Sequence, residues 1–172
     1  MKITAVQTIP IDKMRHGVLG YLVLVKTDAG IDGLGEVAAD CHPATVAFAI
    51  RQMNLEGLDP LAVEGLWQKL YHGNFWRGGP IHTSAIRGVE QALWDIKGKA
   101  LGAPVYQLLG GKLTDRIKLY THTLFGDQSP EAFAASAKET VDLGYKAVKF
   151  DPLGGAEQRM EREQMQLAVA RV

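Results

Sequence analysis

The sequence predicts an α+β domain followed by the opening β/α units of a parallel sheet. Three observations carry this reading. Residues 1–111 place β-rich segments first and helical segments after them, the order of an α+β layer. The run Ala85–Gly111, AIRGVEQALWDIKGKALGAPVYQLLGG, joins a strong helical period to a hard stop. After Gly111 the order becomes strand, helix, strand, helix with short links, which is the grammar of a parallel sheet with right-handed crossovers.

Taken in order, Ile3–Ile9, Tyr21–Thr27 and Ile31–Val37 read as strands, with TDAG supplying the turn before the third, so an antiparallel meander is expected. A helical pattern then runs from Pro43 to about Leu55, and a second from Pro60 to Tyr71, each proline standing where a first helical turn tolerates it. In the third helix Ala85, Val89, Ala92, Leu93, Ile96 and Ala100 fall on one stripe, while Arg87, Gln91, Lys97 and Lys99 lie off it. Gly102 accepts the left-handed turn that ends a helix, and Pro104 cannot continue one. Beyond a domain boundary near Lys112, Ile117–Thr123 reads as a strand and Ser129-Pro130-Glu131 opens a helix that runs to Leu143. Gly144 closes that helix before a strand at Lys146–Phe150, and another helix starts near Ala156. The expected domains are therefore 1–112 and 113–172.

Composition bounds the function. With 47% hydrophobic and 22% charged residues, the chain can bury a core and shows no bias toward disorder. Nineteen basic residues balance nineteen acidic ones, so no net field favours nucleic acid or an anionic membrane, and neither partner is expected. Cys41 has no intrachain cysteine to pair with, and MKITAVQTIP lacks a long apolar stretch, so a cytoplasmic location is the expectation.

The signature run carries more than periodicity. From Ala85 through Gly110, and at Glu90, Asp95, Gly98, Lys99 and Pro104 among others, it resembles the signature of the mandelate racemase and muconate lactonizing enzyme branch of the enolase superfamily. Arg87 departs from the small residue that the pattern expects; a long basic side chain can lie along a surface and keep its charge in water. The segment RGGP, followed by SAI and ALWDIKGK, is similar to acid-sugar dehydratases of the galactonate type within that branch. The resemblance implies that residues 1–112 form an α+β capping domain and that 113–172 begin a TIM-like barrel. A full (β/α)8 barrel takes about 200 to 250 residues, so two units leave it incomplete and the chain is expected to be the N-terminal part of a longer enzyme.

Candidate chemistry follows from strand alternation. In GYKAVKFDP, Lys149 and Asp151 share one side and Val148 and Phe150 the other, so the polar pair is expected to project into the barrel near its C-terminal mouth. A lysine there can bind a carboxylate, or act as a base where desolvation lowers its pKa. The alternative is a solvated strand end. In racemizing relatives this place carries two lysines two residues apart, and the second is the base. Here Asp151 takes that second place, which the resemblance reads as a departure toward dehydratases, with Lys149 orienting the carboxylate. His122, at the end of the first barrel strand, can reach the same mouth, a histidine satisfied by local hydrogen bonds being the alternative.

The resemblance implies that the loops DKMRHGVLG and AADCHPA are those that select substrate in this superfamily. Arg15, His16, Asp40 and His42 are their candidate substrate contacts, solvated loop polarity being the alternative. Trp76 and Trp94 read as packing residues and Asp95 as a structural one. The resemblance implies Mg²⁺ held by three carboxylates on the third, fourth and fifth barrel strands, so metal ligands are expected beyond Val172 and the chain alone is expected to be inactive.

The implied reaction removes the proton beside a substrate carboxylate, forms an enediolate, and expels the β-hydroxyl as water. Racemization, epimerization or cycloisomerization is the alternative within the superfamily, and a noncatalytic assembly module the alternative outside it. The expected partners are a small acid-sugar carboxylate and further copies of the protein, as a homo-oligomer of unspecified number.

Overall fold

A computed structural model describes residues 1–11, 20–38, 42–73, 75–122, 129–149 and 170. The chain divides into two compact units, Met1–Lys112 and Leu113–Val172.

The first unit is an antiparallel three-stranded sheet with helices on one face. Strands β1 (Ile3–Ile11), β2 (Gly20–Thr27) and β3 (Gly33–Ala38) lie in the order β1-β2-β3. Val6 pairs with Val25 and Thr8 with Val23, and a bulge lies between Ile3 and Ala5. Val23 pairs with Gly35 and Val25 with Gly33, so one face of β2 meets the helices through valines set beside glycines. The third strand starts at Gly33 and not at Ile31. Thr27 explains the delay: its N–H donates to Asp32 Oδ1 and its hydroxyl to the Ile31 carbonyl, which holds residues 28–32 in a turn.

Helix α1 spans Pro43–Arg51, ending four residues before the expected Leu55. The Gln52 N–H closes on the Ala49 carbonyl, and Asn54 takes a left-handed φ of 47°, so the chain turns and drives Leu55 into the core. Helix α2 spans Val63–His72 and starts after Pro60 because Asp59 Oδ1 accepts the Leu61 N–H, forming a turn that the helix follows. Val63, Leu66 and Leu70 give α2 its buried stripe at helical spacing.

Helix α3, Pro80–Leu101, begins five residues before the signature run. Pro80 occupies its first turn, where a missing N–H costs nothing, and Thr83 donates both N–H and hydroxyl to the Gly79 carbonyl. Ala85, Val89, Ala92, Leu93 and Ile96 are buried as the period predicts, and Ala100, the last of the stripe, is half-buried. At the far end Gly102 adopts φ 62° and the Ala103 N–H returns to the Gly98 carbonyl, closing the helix as its sequence predicts. The short helix α4, Val105–Leu108, follows Pro104.

One packing expectation is corrected. Trp76 is 85% exposed and meets Phe75 edge-to-face at 5.2 Å, itself 87% exposed; the left-handed Gly78 and Gly79 that follow turn the chain into α3 without burying either ring. Trp94 does pack against the core, with its indole N–H directed to Glu90 Oε1 at 3.3 Å.

The second unit holds a parallel pair, β4 (Thr121–His122) and β5 (Val148–Lys149), joined through helix α5 (Pro130–Asp142). Both strands are shorter than the sequence predicts. A strand is defined by its partner's hydrogen bonds, and among the described residues only two pairs form this ladder. Thr123, Phe150 and the helix expected near Ala156 lie outside the described residues. Ser129 caps α5 by accepting the Ala132 N–H at 3.2 Å, and Phe133, Ala137 and Thr140 line its buried side. Ser129→Ala should lower the stability of this unit by about 1 kcal/mol, read as an earlier unfolding midpoint in denaturant; an unchanged midpoint would show that the cap contributes nothing.

Candidate functional site

The chemistry-bearing residues of the second unit gather at one end of its parallel pair. Thr121 stands opposite Val148 and His122 opposite Lys149. Residues opposite one another on neighbouring strands share a face and lie about 4.8 Å apart, so His122 and Lys149 project to the same side. Thr121 and Val148, one position back, project to the other side and are half-buried, while His122 and Lys149 are exposed. The sequence places both residues at strand ends; the register that makes them neighbours comes from the helix α5 crossover and the Thr121 N–H to Ala147 carbonyl bond.

In parallel sheets the C-terminal strand ends are where ligands are held. A lysine ammonium offers three donors and an imidazole one or two, so the pair suits an anion with neighbouring hydroxyls, such as the carboxylate end of a polyhydroxy acid. Asp151, two residues after Lys149, lies outside the described residues, as do Arg15, His16 and Asp40.

His42 is described and lies in the first unit. It stands at the N-cap of α1 with φ 53° and ψ 69°, its side chain exposed and making no cap hydrogen bond. Its carbonyl accepts the Thr45 and Val46 N–H groups instead. A left-handed non-glycine residue stores about 1 kcal/mol or more of strain, and such residues concentrate where a side chain must be aimed at a ligand. Asp95, read from sequence as structural, accepts the Leu34 N–H at 2.9 Å and the Lys99 ammonium at 2.7 Å.

Among the described residues no cluster of three or more His, Cys, Asp or Glu side chains could hold a metal ion. No helix among them is long and apolar enough to cross a membrane. The cavity of about 360 Å³ beside Asp95, Lys99 and Gly102 is a shallow groove at the α3 terminus, and its lysine is already bound to Asp95 and to the Asp32 carbonyl. Reading the sequence missed Gln91 and Lys99, assigned there only to the outer side of α3, although their i, i+4, i+8 spacing with Asp95 places all three on one face.

Known proteins resemble this chain over most of its length. The profile of the mandelate racemase / muconate lactonizing enzyme N-terminal domain matches residues 6–110. D-galactonate dehydratase of Pectobacterium atrosepticum is 45% identical over 129 residues, covering 74% of this chain and 33% of its own length. The enzyme of the same name from Xanthomonas campestris is 42% identical over 154 residues, covering 88% of this chain and 38% of its own length. Among solved structures, a protein assigned as a dehydratase from Mesorhizobium loti superposes with a TM-score of 0.87 at 38% identity, covering 99% of this chain and 48% of that one. An enolase from Pantoea ananatis, solved with bound D-gluconate and Mg, superposes with a TM-score of 0.72 at 35% identity over 87% of this chain and 36% of that one. The chain thus spans between a third and a half of the length of these relatives.

Proposed function

Because the chain belongs to the mandelate racemase and muconate lactonizing enzyme family of the enolase superfamily, with residues 6–110 forming its N-terminal capping domain, we propose that it supplies the N-terminal part of an acid-sugar dehydratase. In this reading residues 113–172 open the barrel, and β4 and β5 are its first two strands. The substrate is an aldonic acid of the galactonate or gluconate class. The reaction removes the proton beside the carboxylate and expels the β-hydroxyl as water, and the resulting enol settles as a 2-keto-3-deoxy acid. The observation that carries the proposal is the juxtaposition of His122 and Lys149 at one end of a parallel pair, in a chain whose curated relatives are named for galactonate dehydration.

Lys149 binds and orients the substrate carboxylate, its positive charge favouring the electron density that gathers there as the α-proton leaves. His122, on the same face, hydrogen-bonds a hydroxyl next to that carboxylate. Asp151, which lies outside the described residues, takes in the sequence the place where racemizing relatives carry a second lysine, which favours elimination over a two-lysine proton exchange. Arg15, His16, Asp40 and His42 are the proposed substrate contacts of the first unit, a role that the strained backbone of His42 supports for that residue.

The described residues do not fit a magnesium site, since they bring no three carboxylates together. The Mg bound with D-gluconate in the Pantoea ananatis enolase supports the same cation as cofactor for the whole enzyme, with ligands outside the described residues. The whole enzyme is a homo-oligomer in the cytoplasm. Supplying the protein that carries this segment with a panel of aldonic and aldaric acids should give a 2-keto-3-deoxy product from galactonate, gluconate or a stereoisomer of them. A panel with no keto product from any aldonic acid would remove the substrate assignment.

A further inference from the structure

We propose that Gln91, Asp95 and Lys99 of α3 stand in for a fourth β-strand and close the β3 edge of the sheet to any strand from a second chain. An edge strand presents outward N–H and C=O groups that template pairing with another chain, a hazard that proteins manage by covering or blunting the edge. Among the described residues β3 is an edge strand, with β2 on its one paired side. One helix takes two of its outward N–H groups and the carbonyl of the residue just before it. The Glu36 N–H donates to Gln91 Oε1 at 2.9 Å, the Leu34 N–H donates to Asp95 Oδ2 at 2.9 Å, and the Asp32 carbonyl accepts from Lys99 Nζ at 2.7 Å.

The match is one of periods. Outward groups on a strand recur every two residues, about 6.7 Å. Side chains on one helix face recur every four residues, about 6 Å. Strand positions 36 and 34, and Asp32 just before the strand, therefore meet helix positions 91, 95 and 99, with a mismatch of less than about 1 Å per step that long side chains absorb. The Lys99 ammonium also bonds Asp95 Oδ2 at 2.7 Å, tying two of the three surrogate groups to each other.

Backbone proximity makes this reach possible. A Cβ on Gly33 would lie 2.0 Å from the Ala92 carbonyl oxygen, and one on Gly35 would lie 1.9 Å from that of Gly88. Glycines in the strand thus let the helix axis approach until its polar side chains lie alongside the strand edge. An ordinary surface glutamine would point to water; Gln91, although exposed, spends its carbonyl on a backbone donor 55 residues away.

Amide hydrogen exchange on the chain tests the device. In Gln91→Ala the Glu36 amide should exchange about tenfold faster than in the parent, because one hydrogen bond is lost, while the Val23 and Val25 amides keep their rates. Gln91→Glu should restore protection, since a carboxylate oxygen can accept the same bond. The double variant Gln91→Ala/Asp95→Ala should sediment as concentration-dependent species larger than the parent, through pairing at the uncovered edge. Parent-like exchange at Glu36 in Gln91→Ala overturns the proposal, and so does a folded double variant that sediments as the parent does. If the double variant does not fold, the exchange of Glu36 in the single variants decides.

Discussion

Gly35→Val should cost the first unit about 4 kcal/mol or more, shifting its thermal midpoint downward by on the order of 20 °C. The size follows from what the new atoms would meet. A Cβ at this position lies 1.9 Å from the Gly88 carbonyl oxygen and 3.1 Å from the Ala92 backbone nitrogen. Both neighbours are backbone in the middle of α3, so neither can rotate away as a flexible side chain would. Either the helix lifts off β3, losing burial of Val89, Ala92 and Ile96, or the strand leaves the sheet. Gly30 provides the contrast. It has φ +70° with open space around its Cβ position, so Gly30→Ala carries conformational strain alone, about 1 kcal/mol. Circular dichroism melts of the two variants separate the effects. A Gly35→Val variant melting within a few degrees of the parent would mean that α3 does not lie against β3 as described.

Lys149→Met should reduce kcat/KM of the enzyme carrying this segment by about 100-fold or more on an acid-sugar substrate, the scale of losing a positioned charge where negative charge develops. The fold should survive, because Lys149 is exposed and on the opposite face from half-buried Val148. The equivalent loss in His122→Phe should be smaller, about tenfold, since a neutral hydrogen bond to a hydroxyl is the contact removed. That ranking distinguishes a site from a solvated strand end. If Lys149→Met retains parent kcat/KM, Lys149 does not touch the substrate, and the pairing of the two residues is a feature of the sheet alone.

Legibility differed by the kind of information each feature needs. The strands of the meander and the long α3 helix could be read because their signals are local: β-branched runs between turns, and a buried stripe at helical spacing ended by Gly102 and Pro104. Features set by a distant partner could not. Nothing local marks Gly33, Gly35 and Gly88 as close-approach sites until strand and helix come together, and Gln91 reads as a polar outer position until its partner, the Glu36 amide, appears. Trp76 was misread for the same reason, since residue type predicts burial only on average and the Gly78-Gly79 turn leaves its ring outside. Helix starts and stops moved by a few residues where side chains such as Asp59 captured backbone donors and delayed the helix. At the candidate site, strand alternation gave the facing of Lys149, but not its neighbour. The register with His122 is a tertiary fact, fixed by how α5 returns the chain.

The central claim is that this chain serves dehydration of an acid sugar and not proton exchange alone. The direct measurement is the reaction of the protein carrying this segment with D-galactonate and D-gluconate in deuterium oxide, followed by proton NMR. The account predicts that α-proton loss is matched by appearance of a 2-keto-3-deoxy acid, with no deuterium accumulating at the α-carbon of the remaining substrate. Deuterium entering the α-position of unconverted substrate, with no keto acid formed, would contradict it and assign the protein to racemization or epimerization.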